Sequence, residues 1–170
     1  MNKLVQLLLL LGVVCVAGGH DDGHHGCVPD WRAREIIPIF QSFFSDGNVK
    51  LIKDTLTSDF TIYSDSQEFT TPGITPVSGD AVVKGRDAFI AANAPHSGAP
   101  NAFVTLDSFW TCRKIVFRWA APGGLGGKIP IRGIDTLDLA REGGRWKIKT
   151  DYSEYNNVGF LQGVGVCTIC

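Results

Sequence analysis

The chain carries no N-x-S/T sequon: Asn48, Asn93, Asn101, Asn156 and Asn157 all lack Ser or Thr two positions on, so N-glycosylation is not expected. It also lacks a basic block and any interleaving of aromatic with basic residues. With a formal charge of −1, that argues against nucleic acid as a partner. The longest apolar run, Leu4 to Ala17 with only Gln6 interrupting it, falls short of the roughly 20 residues a bilayer crossing needs. No basic stop-transfer cluster follows it. No internal repeat is evident. The glycine-rich Pro122 to Gly127 (PGGLGG) is followed by a strand pattern and not by a helix, which excludes a phosphate cradle and leaves a connector. Cys167-x-x-Cys170 has zinc-ligand spacing, but the second close pair a structural site uses is missing.

What is present begins with a leader. A weakly basic start, an apolar stretch and small residues at Cys15, Ala17, Gly18 and Gly19 read as a secretory signal peptide over residues 1–19, cleaved between Ala17 and His20. Residues 20–27 follow as a polar, glycine-rich leader, and residues 28–170 as one domain large enough for a proper core. If cleavage follows Ala17, the new terminus is Gly18-Gly19-His20. Its free amine, two amides and the His20 imidazole would offer Cu(II) or Ni(II) four nitrogens in a plane. The competing reading is a solvated tail with no role. No other cofactor is expected. Export leaves Cys27, Cys112, Cys167 and Cys170 in an oxidising compartment, an even set that reads as two disulfides with three pairings open. Long-range bonds in which the late cysteines reach back are preferred, because they restrain the unfolded chain more.

The firmest local pattern is Lys128 to Asn157. Ile129, Ile131, Gly133, Asp135, Leu137 and Leu139 alternate onto one face. Trp146, Ile148, Thr150, Tyr152 and Glu154 alternate likewise, with Lys147, Lys149, Asp151 and Ser153 opposite. Gly143-Gly144 lies between the two runs, and together they predict a hairpin. Upstream, Asp30 is the predicted cap of a helix over 31–45, with Ile36, Ile37, Phe40, Phe43 and Phe44 as its apolar stripe and Pro38 expected to kink or split it. A short helix over 49–56, a strand over 59–63, a long loop over 64–80 and a helix through Ala88 to Ala92 come next. A second hairpin follows, over 103–109 and 115–121. This order implies an α+β fold, a curved, mostly antiparallel sheet with helices packed on one face.

Phe117-Arg118-Trp119, Gly133-Ile134-Asp135, Arg145-Trp146-Lys147-Ile148-Lys149 and Tyr152-Ser153-Glu154-Tyr155-Asn156, with the placement of Cys27, Cys112 and the late cysteines, resemble a secreted, mostly fungal branch of the nuclear transport factor 2-like (SnoaL-like) superfamily. The resemblance covers most of 27–170 and implies a cone of curved sheet closed by N-terminal helices around an apolar pocket. Relatives include ketosteroid isomerase, scytalone dehydratase and polyketide cyclases, which perform cofactor-free proton chemistry, as well as members that only bind. The dehydratase's histidine pair has no counterpart in the strands, since the one His beyond the leader is His96, in a predicted loop. The isomerase's full Tyr/Asp/Asp set is not matched position by position.

If the face bearing Trp146 and Ile148 lines the pocket, Tyr152 and Glu154 point inward. A carboxylate there has its pKa raised and suits acid–base work, with Tyr152 as a hydrogen-bond donor and Asp135 as second member. The structural alternative pairs Arg118 with Glu154 or Asp135 to hold strands in register. Asp65, at the end of the first strand, reads as a general base at the pocket mouth or as an ordinary turn cap. Tyr63, Arg118, Trp119 and Trp146 are the candidate ligand contacts. The expected function is a secreted pocket protein holding a small apolar ligand, with no membrane partner once the leader is gone and with a homodimer compatible. The alternative is a cofactor-free isomerase, dehydratase or cyclase acting on a polyketide- or terpenoid-like molecule in secondary metabolism.

Overall fold

The computed structural model describes residues 26–68, 79–93, 103–124 and 129–166. Two helices, α1 (Asp30–Ser42) and α2 (Val49–Thr55), precede the first strand, β1 (Leu56–Tyr63). One helical turn, α3 (Asp65–Glu68), a two-residue strand, β2 (Val83–Lys84), and α4 (Arg86–Asn93) come next. The two predicted hairpins follow as β3 (Val104–Trp110) with β4 (Lys114–Ala121), and β5 (Ile131–Glu142) with β6 (Arg145–Tyr155). A last helix, α5 (Asn157–Gly163), is capped by the Asn156 side chain, which accepts from Gly159 N at 3.0 Å. That helix is absent from the sequence reading, because its glycines weaken the helical pattern.

Among the described residues the strands form one open six-stranded sheet, ordered β2-β1-β6-β5-β4-β3. All neighbours are antiparallel except β1 and β6, which run parallel. The expected α+β architecture is therefore what the chain adopts. Gly143 and Gly144, at φ 59° and 77°, make the tight reversal between β5 and β6, a backbone that side chains with a Cβ resist.

The helix α1 lays Ala33, Ile36, Ile37 and Phe40 on the inner sheet face, against Ile115, Phe117, Leu137 and Ile148. Phe40, Phe43, Phe44, Phe89 and Phe60 continue this core as a chain of edge-to-face rings 5.4–6.1 Å apart. Pro38 sits on the exposed side of α1, and the helix runs through it without splitting. Asp30 is not the cap. Pro29 occupies that position, and Asp30 accepts a hydrogen bond from Trp110 Nε1 at 2.9 Å, tying α1 to β3.

Cys27 and Cys112 are disulfide-bonded, fixing the entry to α1 against the β3–β4 turn, where Val28 N also donates to Cys112 O at 2.8 Å. Closing a loop between residues 85 apart contributes on the order of 4–5 kcal/mol in the chain-entropy account. The bond also corrects the expectation that the late cysteines reach back: their distant partners are already joined to each other. Cys167 and Cys170 lie outside the described residues.

Candidate functional site

Strand β5 presents the predicted face, with Ile131, Asp135, Leu137 and Leu139 buried and Gly133 between them. Strand β6 does so only in its first half. Leu139 pairs with Ile148 but Asp138 pairs with Thr150, so Lys149 is an extra residue on β6, a bulge. Parity reverses beyond it. Trp146 and Ile148 face the core, and then Asp151 and Ser153 do, both buried. Tyr152 and Glu154 turn outward, Tyr152 remaining 46% exposed. Both were expected inside, so this reverses the predicted site.

The outward residues have local partners. Tyr152 stacks on Tyr63 at 5.3 Å, with Lys114 over its ring. The Glu154 carboxylate accepts from Asp65 N at 2.8 Å, from Ser66 N at 3.0 Å and from the Ser66 hydroxyl, thereby capping α3. Asp65 is exposed and serves that turn through its backbone. Arg118 faces out beside Asp107 at 3.4 Å and is not joined to Glu154 or Asp135, so the expected structural pair does not form. Trp146 is core, with Arg141 over its ring at 5.2 Å. Asp135, Trp119 and Trp146 are the predicted site residues the interior keeps, while His20 and His96 lie outside the described residues.

What the bulge places inside is a second carboxyl. Asp135 pairs with Ser153 and Phe117, and Asp151 pairs with Leu137 and Ile62. The two aspartates are therefore diagonal neighbours on one face of adjacent strands, a spacing of roughly 7–8 Å between backbones that side chains can close. They are 6% and 2% exposed. Burial pushes Asp135 up to about 6, and the Ser153 hydroxyl and the Trp119 indole, near enough to pull against it but outside hydrogen-bond geometry, offset that only in part. Asp151 is raised well above the carboxylate range, by burial first and then by the charge of Asp135. Burial and mutual repulsion therefore both favour a pair that shares a proton over one that is doubly ionised.

The same face is short of hydrogen bonds. Asp135 Oδ1, Asp151 Oδ1, Trp119 Nε1 and Trp146 Nε1 are buried without a hydrogen-bond partner. Each such group costs roughly 1–3 kcal/mol when left unmet. Sequence reasoning missed Asp151 and Ser153. Beyond Ile148 both faces of β6 are polar, and nothing apolar marks which one is inside.

Gly133 is part of the same arrangement. A Cβ there would stand 2.4 Å from the Trp119 ring and 2.7 Å from the Glu154 carbonyl oxygen, so the glycine lets the indole lie across β5. At this end of the strands a cleft of about 560 Å³ is lined by Leu106, Arg118, Trp119, Arg132, Ile134 and Glu154, among others. Among the described residues no three His, Cys, Asp or Glu side chains gather to hold a metal ion, and no helix is long and apolar enough to cross a membrane.

A family model described as an NTF2-like domain matches residues 26–167. Among solved structures, the fold is similar to that of IdmH from Streptomyces antibioticus, a candidate polyketide cyclase, at 13% identity and TM-score 0.57, covering 79% of this chain and 99% of that one. It is also similar to TsrD from Streptomyces laurentii, at 14% identity and TM-score 0.56 over 82% and 99% of the two chains. A candidate polyketide cyclase from Bacillus cereus gives 19% identity and TM-score 0.53 over 83% and 87%. These likenesses establish the fold. No curated protein sequence matches the chain.

Proposed function

The chain belongs to the NTF2-like domain family, and from that premise we propose that it is a small-molecule-binding pocket protein whose inner sheet face receives a carbonyl- or hydroxyl-bearing apolar ligand. The observation that carries this reading is the buried pair Asp135 and Asp151, each with an unpartnered Oδ1, beside the unpartnered Trp119 indole. Protein interiors rarely keep so many polar groups unmet, and a ligand's oxygen atoms would meet them. Export belongs to the same reading, supported by the leader pattern and by the Cys27–Cys112 bond, which suits an oxidising compartment. The polyketide-like class is the first to try, because two proteins that share the fold are candidate polyketide cyclases.

The state of the pair favours a second reading, cofactor-free acid–base catalysis. Ionised Asp135 would take a proton from the carbon next to a ligand carbonyl. The electron pair of that C–H bond would move onto the carbonyl oxygen, which accepts a hydrogen bond from protonated Asp151. Tyr152 and Glu154, facing away from this pair, have no place in such a step.

Native mass spectrometry of the full chain with 2-acetylnaphthalene tests binding, and proton NMR in D2O tests exchange at the ketone's methyl group. Retention that drops at least tenfold in Asp135→Leu and Asp151→Leu supports the binding reading. Exchange catalysed by the wild type and abolished in Asp135→Asn, with the ketone still retained, adds catalysis. A wild-type chain that retains neither this ketone nor its naphthol analogue overturns both.

A further inference from the structure

The cleft at the Gly133 end of the strands has a chemistry separate from the aspartate pair. Arg118 on β4 pairs across the sheet with Ile134 on β5, and Ala120 pairs with Arg132. The two arginines are thus diagonal neighbours on the outer face, roughly 7–8 Å apart along the backbone, and both line the cleft.

The acidic groups nearby are largely committed. Glu154 directs both carboxylate oxygens to the amides and hydroxyl at the start of α3. Asp107 is ion-paired with Arg118 through Nε, at 3.4 Å, and the guanidinium's terminal N–H groups make no hydrogen bond among the described residues. Arg132 forms no hydrogen bond or ion pair through its side chain among the described residues. Between the two cations the lining is apolar: Ile134 is 41% exposed and Leu106 43%, with Trp119 and Tyr155 behind them.

One guanidinium without an ion pair among the described residues, Arg132, and a second held by a single exposed one, Arg118, beside exposed aliphatic and aromatic surface match a carboxylate carried on an apolar body. We propose that this cleft binds an amphipathic monocarboxylate, with its carboxylate on Arg132 and Arg118 and its chain along Ile134 and Leu106. The site is independent of the interior pair and stands or falls without it.

The test is an amide chemical-shift titration of the full disulfide-bonded chain with decanoate, with decanol and inorganic phosphate as separate arms. Decanoate is expected to move the amides of Arg118, Gly133, Ile134 and Glu154 with a Kd below about 1 mM. Arg132→Gln and Arg118→Gln are each expected to weaken binding at least fivefold, whereas Asp135→Asn leaves it unchanged. Both arginines are exposed, so their glutamine variants keep the fold, which their unperturbed spectra verify. The proposal is overturned if decanol binds as tightly, which makes the cleft merely greasy, or if phosphate does, which makes it merely cationic. It is equally overturned if Arg132→Gln binds decanoate like the wild type, if Asp135→Asn abolishes binding, or if these amides stay still at about 5 mM decanoate.

Discussion

Asp135 and Asp151 lie diagonally across β5 and β6 on the same buried face, one flanked by Phe117 and Ser153, the other by Leu137 and Ile62. Two carboxyls so placed cannot both ionise without strong repulsion, and the apolar neighbours offer neither of them a counter-ion.

Stability is therefore expected to fall as pH rises. Both groups have raised folded pKa values, Asp135 to about 6 and Asp151 well above its ordinary value, against about 3.9 in the unfolded chain. The native state holds more protons from about pH 4 upward, so unfolding gains ground through pH 6 and beyond. For Asp135 alone the loss is on the order of 2–3 kcal/mol by pH 7. Thermal unfolding from pH 4.5 to 8 measures it, with Asp135→Asn and Asp151→Asn giving flatter curves and higher Tm at pH 8. A wild-type Tm that does not change across this range would contradict the pairing.

Glu142 has the opposite sign. It accepts from Ser58 N at 2.9 Å and Ser58 Oγ at 3.0 Å and from Lys147 at 2.9 Å, and these bonds, that to Ser58 N first, hold its carboxyl down at about 2. A lowered carboxyl stabilises the fold fully above about pH 4.3, and that contribution is lost as pH falls through about 2. Glu142→Gln should cost about 1–2 kcal/mol at pH 7. Urea unfolding of both proteins should show this difference narrowing between pH 4 and pH 2. An equal difference at every pH would mean the charge of Glu142 is idle.

Deleting Lys149 should be far worse than replacing it. The deletion removes the bulge and would drive Tyr152 and Glu154 inward and Asp151 and Ser153 outward, a cost above roughly 4 kcal/mol. Lys149→Thr keeps the residue count and should stay within about 0.5 kcal/mol of wild type, as exposed substitutions usually do. Solubility and amide exchange of the two variants distinguish them. A deletion that folds as well as the wild type would show that β6 is not held in this register.

Gly133→Ala should destabilise by about 1–3 kcal/mol, because the new methyl meets backbone oxygen as well as the Trp119 ring. The glycine has no positive φ, so the effect is steric. Denaturant midpoints give the magnitude and tryptophan emission reports the displaced indole. A neutral effect with unchanged emission would place the ring elsewhere.

Much of this architecture can be read from residue order. The α1 stripe Ile36, Ile37 and Phe40, the alternation of Ile131, Asp135, Leu137 and Leu139, and the Gly143-Gly144 reversal each announce their element through apolar spacing or a backbone requirement. The site was only half legible. Asp135 and Trp119 lie on strands whose apolar alternation is unbroken, so their inward direction followed. Asp151 lies beyond a bulge that leaves no mark in a polar stretch, and the same shift took Tyr152 and Glu154 out of the site.

The sequence by itself determined the hairpins, the amphipathic first helix and the α+β class, because apolar periodicity acts within a few residues of each position. Tertiary structure alone decided which cysteines join and which half of β6 faces inward. The parallel contact of β6 with β1, and its antiparallel contact with β5, hold Ile148 and Asp151 in place and leave Lys149 as the surplus residue between them. Such a choice depends on pairing energies between segments far apart in the chain, which no local pattern carries.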